Sequence, residues 1–294
     1  MSVNPTYLQM FSTITESGEL RLELKEQETP KPGPDQVLVR VEATPINPSD
    51  LGVMFGLTDM SAATSTDGAL TAPVSELAMR AMKARIGQAL TLGNEGAGTV
   101  VATGDSEAAK NLDGKIVAIA GGGMYGQYRS VDVSACLPLL EGHTAKDGAS
   151  SFVNPMTVLS MIETMRMEGH TALVHTAGAS NLGQMLNRVC QADGVELVNV
   201  VRKEEQATLL KDMGAKYVVN SSADSFMADL TDAIHATGAT LGFDATGGGK
   251  LASNMLTCME GAAARTPGAY SIYGSIKQKQ VYLYGGLDTT PTTL

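Results

Sequence analysis

Gly178-Ala179-Ser180-Asn181-Leu182-Gly183 is the segment whose residue types and spacing speak most directly of chemistry. An apolar run, TALVHTA (171–177), precedes it. After it, Leu182, Met185, Leu186, Val189 and Cys190 fall on one helical stripe within 181–190. A first glycine permits a tight strand-to-helix turn, and a last glycine lets the helix pack against the strand. The middle residue must be small so that backbone can approach a pyrophosphate. Here it is Ser180 rather than glycine, and its hydroxyl adds a donor. A helix N-terminus at this point favours an anion through its N–H groups and its dipole. The expected chemistry is the cradling of a dinucleotide pyrophosphate by residues 178–183.

Which dinucleotide depends on the end of the second strand. VELVNVVR (195–202) closes on Arg202, and Lys203 follows. An NAD site would place Asp or Glu there for the ribose hydroxyl, whereas two cations suit a 2′-phosphate. The residues therefore point to NADPH. Were the strand two residues longer, Glu204 could be the acid of an NAD site.

These groups need elements to position them. After residue 150 the chain alternates short apolar strands, 171–177, 195–202, AKYVVNS (215–221), ATLGFDAT (239–246) and QVYLYGG (280–286), with helical segments at 181–190, 203–213 and 224–236. Strands buried on both faces and separated by helices predict an α/β domain with a doubly wound parallel sheet over 151–294. Residues 1–150 have a different texture. LRLELKEQ (20–27) and VLVRVEAT (37–44) alternate apolar and polar residues across the Pro/Gly segment TPKPGPDQ (29–36), which reads as an antiparallel pair. With further strands at 97–104, 115–122 and 126–133, a small β-barrel is expected. Residues 57–92 read as an insertion: a loop, SAATSTDGALTA (61–72), then a helix within PVSELAMRAMKARIGQAL (73–90).

Composition bounds the classes of function. The 294 residues accommodate two domains, and 31 acidic against 21 basic side chains give a net charge of −10. That field repels polyanions, so a nucleic-acid partner is not expected. Cys136, Cys190 and Cys258 lack paired or CxxC spacing, which argues against a disulfide framework. No apolar run reaches the ~18 residues of a membrane span, and MSVNPTYLQM has no signal-peptide pattern. A cytoplasmic enzyme without membrane attachment is the expectation.

PINPSDL (45–51), GNEGAGTVVATG (93–104), VNPMT (153–157), HTAGASNLGQ (175–184), NVVR (199–202) and YGGL (284–287) resemble the medium-chain dehydrogenase/reductase superfamily, in its zinc-free NADPH:quinone oxidoreductase and enoyl reductase branches. The resemblance covers nearly the whole chain. It implies a GroES-like β-barrel domain followed by a Rossmann domain, with substrate and nicotinamide between them. Carried residue by residue, it implies Asn154 and Thr157 on the nicotinamide side and Ala179–Leu182 at the pyrophosphate. It also implies Arg202 and Lys203 at the 2′-phosphate, and Tyr284, Gly285, Gly286 and Leu287 beside the nicotinamide. The zinc-dependent branch has Cys where Asn47 stands and His where Asn94 stands. Neither amide replaces a thiolate or imidazole ligand, so no metal is expected.

Without zinc, hydride must reach a carbon already activated by conjugation, and a quinone or enone substrate fits. No proton donor is assigned. The enoyl reductases carry a tyrosine shortly after NPSD, but MFGLTDM (54–60) has none, and Tyr125 and Tyr128 are weak substitutes. Two other readings remain: a 2-enoyl thioester (enoyl-CoA or ACP) reductase, and a non-catalytic NADPH-binding relative. The resemblance further implies a homodimer. It also implies that 294 residues stop short of a last sheet strand, with ARTPGAYSIYGSIK (264–277) as an insertion before that point.

Overall fold

The computed structural model describes residues 3–66, 68–265 and 272–293. It divides into two compact units, Met1–Val153 and Asn154–Leu294.

The first unit contains β1 (Thr6–Ile14), β2 (Glu19–Glu28), β3 (Gln36–Ala43), α1 (Pro48–Phe55), β4 (Thr64–Thr66), β5 (Ala69–Pro73), α2 (Glu76–Ala81) and β6 (Ala89–Thr91). It continues through β7 (Glu95–Thr103), α3 (Glu107–Lys110), β8 (Ile116–Ala120), β9 (Tyr128–Asp132), β10 (Cys136–Pro138) and α4 (Ala145–Gly148). Its strands form two antiparallel sheets, β4-β5-β2-β1-β6 and β10-β8-β7-β3-β9. The segment Tyr125–Gln127 stitches them together. Met10 N donates to Tyr125 O at 2.8 Å on the β1 side, and Val41 N donates to Gln127 O at 3.0 Å on the β3 side. The result is a curled β domain around Val37, Val39, Val100, Val117, Ile119 and Met124.

Three details depart from the sequence reading. β2 and β3 do not pair: β2 lies between β1 and β5, and β3 between β7 and β9. Alternation marks a half-buried strand but does not choose its neighbour. β1 itself was not foreseen. The 57–92 insertion is not a loop followed by a long helix. Thr64–Thr66 and Ala69–Pro73 make a hairpin that extends the sheet beyond β2. The helix runs only over Glu76–Ala81, followed by a 3-10 turn at Lys83–Arg85 and then β6. Gly87, at φ 76°, turns the chain out of helical geometry.

α5 (Val153–Met167) runs into the second unit. There follow β11 (Ala172–His175), α6 (Asn181–Asp193), β12 (Glu196–Val201), α7 (Glu204–Asp212), β13 (Tyr217–Asn220), α8 (Phe226–Thr237), β14 (Leu241–Asp244), α9 (Leu251–Ala264) and β15 (Gln280–Leu283). All pairings are parallel, in the order β13-β12-β11-β14-β15. The order reverses between β11 and β14, and ligands of such sheets bind in the crevice this reversal opens at the strands' carboxyl ends. One face packs Leu173, Leu197 and Leu241 against α5 and α6 through Met161, Ile162, Met165 and Leu186. The other packs Val174, Val198 and Val200 against α8 and α9 through Leu230, Ile234, Met255 and Met259. Each such fully buried side chain contributes about 1.5–3 kcal/mol. Of residues 264–277, 266–271 lie outside the described residues; Ile272, Tyr273 and Ile276 are exposed.

Candidate functional site

β11 ends at His175, and the turn to α6 bends at Ala177, whose φ of 53° is unusual for a residue with a side chain. Gly178 N donates to Val200 O at 3.0 Å, fixing the turn against β12. A Cβ on Gly183 would sit 2.2 Å from Gly178 O, so α6 starts in contact with the turn's own backbone. On Gly178, a Cβ would meet Asn199 Cβ at 3.0 Å. Ser180 caps α6: its Oγ accepts from Gly183 N at 3.1 Å. That bond uses an oxygen lone pair and leaves the hydroxyl proton for a ligand. Gln184 Nε2 donates to Ala179 O at 3.0 Å, so this carbonyl is engaged. Asn181 and Leu182 form the first turn of α6, where backbone N–H groups have no acceptor within the helix.

β12 stops at Val201, so Arg202 immediately follows the strand and Lys203 precedes α7. Both side chains are exposed. Their backbone is held by one acceptor: Gln206 Oε1 receives Arg202 N at 3.0 Å and Lys203 N at 3.2 Å. Glu204 is the first residue of α7, with its carboxylate 3.9 Å from Lys211 Nζ. The strand boundary thus puts a guanidinium, not Glu204, at the strand's end.

The carboxyl ends of β11, β14 and β15 are closed by Tyr284, which the sequence places here, together with two groups whose part in the site the sequence does not reveal: Asp244, and the hydrogen bond of the strand-end His175 to Tyr284. His175 is fully buried, and its Nε2 lies 2.7 Å from the hydroxyl of Tyr284, with the rings stacked at 5.9 Å. Asp244, at the end of β14, is equally buried and well satisfied. It accepts from Thr176 Oγ1 at 2.8 Å, Thr246 N at 2.9 Å and Gly247 N at 3.3 Å. Burial pushes the Tyr284 phenol well up, helped by the Asp244 charge. The available signal was a polar residue ending a wholly apolar strand: His175 and Thr176 after ALV, Asp244 after LGF.

Burial also lowers His175 from 6.5 to about 4, against a smaller opposing pull from Asp244. The unfolded chain therefore binds a proton below pH 6.5 that the folded chain refuses until about pH 4. This group costs nothing at neutral pH, and stability falls as pH drops through that window, by about 3 kcal/mol in total. Urea unfolding at pH 7 and pH 4.5 should record this loss in the wild type. In His175→Gln the slope between those values should be distinctly shallower.

The remaining expected positions fall in two places. Asn154 and Thr157 lie on the first turns of α5, Asn154 buried. Tyr284, Gly285, Gly286 and Leu287 follow β15 alongside the end of β14. Tyr284 N donates to Asp244 O at 3.0 Å, and Leu287 N to Ala245 O at 3.3 Å. Asp288 continues this path, and two bonds from Thr290, with a smaller contribution from the Arg202 charge, hold its carboxyl below the usual range.

In the first unit, the two amides at the family's zinc-ligand positions are engaged in hydrogen bonds. Asn47 Nδ2 donates to Glu95 Oε1 at 3.0 Å, and Asn94 Nδ2 donates to Ser49 Oγ at 3.0 Å. Among the described residues, no group of three His, Cys, Asp or Glu side chains converges on a metal-sized site. Tyr125 donates its hydroxyl to Pro45 O at 3.0 Å, and burial beside Asp50 pushes it up to about 12. Tyr128 is buried, packed edge-on to Tyr7.

Comparison with known proteins bears on both units. Residues 33–141 match the alcohol dehydrogenase GroES-like domain, and 181–283 match the zinc-binding dehydrogenase domain. A Mesorhizobium loti structure, provisionally named an NADPH:quinone reductase, is 30% identical. It covers 100% of this chain and 78% of its own, with a TM-score of 0.69. The mitochondrial enoyl-[acyl-carrier-protein] reductase of Caenorhabditis elegans is 26% identical over 64% of this chain and 50% of its own. A mycocerosic acid synthase-like polyketide synthase of Mycolicibacterium smegmatis is 27% identical over 72% of this chain and 9% of its own. The chain thus spans about half the length of the enoyl reductase and a small part of the synthase.

Proposed function

The chain belongs to the medium-chain dehydrogenase/reductase superfamily, in its zinc-free branch, and from that premise we propose an NADPH-dependent oxidoreductase that reduces a quinone or another conjugated carbonyl. The residues present suit the dinucleotide. Gly178 and Gly183 let the turn, β12 and the start of α6 approach with no room for a Cβ, and the backbone of Ala179–Leu182 so positioned would hold the pyrophosphate. Arg202 and Lys203 would take the 2′-phosphate. Asn154, Thr157 and residues 284–287 would orient the nicotinamide. When bound, the reduced cofactor supplies a hydride. The chain's contribution is to position it and to hydrogen-bond the oxygen on which charge develops.

The observation that carries this reading is Arg202 directly after the last residue of β12, on the strand next to the glycine turn. Its test is Arg202→Ala. Losing charge-assisted bonds worth about 1.5–3 kcal/mol should weaken NADPH binding roughly 10- to 100-fold while leaving NADH unchanged. An unaltered preference would sink the phosphate assignment.

A second reading, 2-enoyl thioester reduction, is favoured by the names of the curated relatives, though 54–60 offers no tyrosine. Nicotinamide absorbance decides between them. Consumption with a 1,4-quinone alone supports the first reading, and consumption with a crotonyl thioester alone supports the second. Binding without either would identify a dinucleotide-binding relative that does not turn over.

A further inference from the structure

We infer that Tyr284 is the proton donor to the acceptor and that His175 positions its hydroxyl. This inference rests on the proposed reductase activity.

The argument begins with the unpartnered atom. His175 is fully buried; its Nε2 has Tyr284 as partner, whereas its Nδ1 is buried without one. A neutral imidazole carries its proton on one nitrogen only. If the proton were on Nδ1, a buried N–H would have no acceptor, and orphaned buried donors are rarer than under-used acceptors. If it is on Nε2, that N–H donates to the Tyr284 oxygen, and the orphan is only a lone pair. The second tautomer is therefore favoured, and it has a consequence for the phenol. With its oxygen already accepting from His175, the hydroxyl proton of Tyr284 must point to another acceptor.

Placement gives that proton a role. Tyr284 follows β15 and His175 ends β11, so their hydrogen bond spans the end of β14, over the point where the strand order reverses. Arg202 lies on the β12 side of the reversal and Tyr284 on the β14–β15 side. In sheets of this order the two mononucleotide halves lie on opposite sides of the reversal. A 2′-phosphate at Arg202 thus leaves Tyr284 on the nicotinamide side. Tyr284 keeps 38% of its surface exposed, so water can restore its proton. Tyr125, by contrast, spends its hydroxyl on Pro45 O.

The step balances. The bound reduced dinucleotide would supply a hydride, two electrons and one hydrogen, to the conjugated carbonyl and would be left oxidised. The carbonyl oxygen then gains a proton as the Tyr284 O–H bond breaks; burial makes this phenol a weaker acid than usual, so the His175 N–H is needed to hold the phenolate until water reprotonates it. The buried imidazole, lowered towards 4, stays neutral throughout and fixes the phenol oxygen.

The first test needs no turnover. Two-bond ¹H–¹⁵N spectra of the protein without dinucleotide should show His175 protonated on Nε2; protonation on Nδ1 overturns the proposal. The second is Tyr284→Phe, which keeps the ring stack and removes one oxygen. Turnover should fall about 100-fold, the scale of a lost general acid, with the NADPH dissociation constant within about two-fold by fluorescence titration. Unchanged turnover overturns the donor role, as does a loss confined to NADPH affinity. For the positioning role, His175→Gln restores a side-chain N–H and should retain most of kcat. His175→Leu should lose kcat rather than raise KM; equal behaviour of these two variants would refute positioning by hydrogen bond. Failure of the reductase reading is separately visible: wild-type protein would then bind NADPH and reduce neither acceptor, and the donor role would fall with it.

Discussion

Gly183→Ala is expected to destabilise the second unit by about 3 kcal/mol and to lower NADPH affinity at least ~100-fold, despite alanine's better helix propensity. The propensity gain inside a helix is about 1 kcal/mol. Against it stands a Cβ 2.2 Å from Gly178 O, 2.6 Å from its carbonyl carbon and 2.8 Å from its Cα. All three are backbone atoms, so nothing can rotate away, and either α6 or the turn must move. The moving part is Ala179–Leu182, the backbone proposed to face the pyrophosphate. Gly178→Ala makes the informative control. Its nearest neighbours are Asn199 Cβ at 3.0 Å, Asn199 Oδ1 at 3.1 Å and Leu210 Cδ1 at 3.2 Å; the latter two are side-chain ends that can yield, and the closest approach is 0.8 Å longer than at Gly183. Thermal unfolding with NADPH fluorescence titration should rank Gly183→Ala well below Gly178→Ala. Comparable losses would mean that close approach of helix to turn does not govern this site.

Glu95→Ala should be the corresponding lesion in the first unit, costing about 3 kcal/mol or more in urea unfolding. Glu95 is 1% exposed and surrounded by donors. Oε2 accepts from Phe152 N at 2.8 Å and Val153 N at 3.0 Å, while Oε1 accepts from Asn47 Nδ2 at 3.0 Å. Alanine takes this acceptor away from one buried and two half-buried N–H groups, at roughly 1 kcal/mol each. Glu95→Gln keeps the volume and one acceptor oxygen but turns an amide N–H₂ towards donors, so it should fall between alanine and wild type. A cost below about 1 kcal/mol for Glu95→Ala would show that water replaces the carboxylate here. Asn47 takes part in this network as a donor. A side chain that would be a poor metal ligand is thus used as a hydrogen-bond partner.

The second unit was legible because its strands are buried on both faces. LVNVV and LGF can lie only inside a sheet, and the glycine turn and Arg202 are anchored to strand ends that apolar runs mark sharply. α5 and α9 were less visible; VNPMTVLSMIETMRM and LASNMLTCMEGAAA mix small and polar residues among their buried methionines. In the first unit, alternation marks β2 and β3 as strands without choosing their partners, and β1 and the short strands β4, β5, β6 and β10 carry too little of it to be read. The hairpin Thr64–Pro73 was hidden by residues too small to show a period. The His175–Tyr284 bond was illegible for another reason. It joins residues 109 positions apart and exists only because β14 separates their two strands.

That separation also sets an order of assembly. β12 follows β11 after a single helix, so one side of β11 can pair while the chain behind it is still unfolded. Its other side must wait for β14, across a far longer loop whose closure entropy slows the encounter. Tyr284 arrives later still. The glycine turn and Arg202 therefore belong to the half with the more local contacts, whereas the cover over the imidazole comes from Tyr284, 109 residues away. Burial of His175 is complete only with Tyr284 in place, and a chain that folds between about pH 4 and pH 6.5 gives up the imidazole proton to solvent.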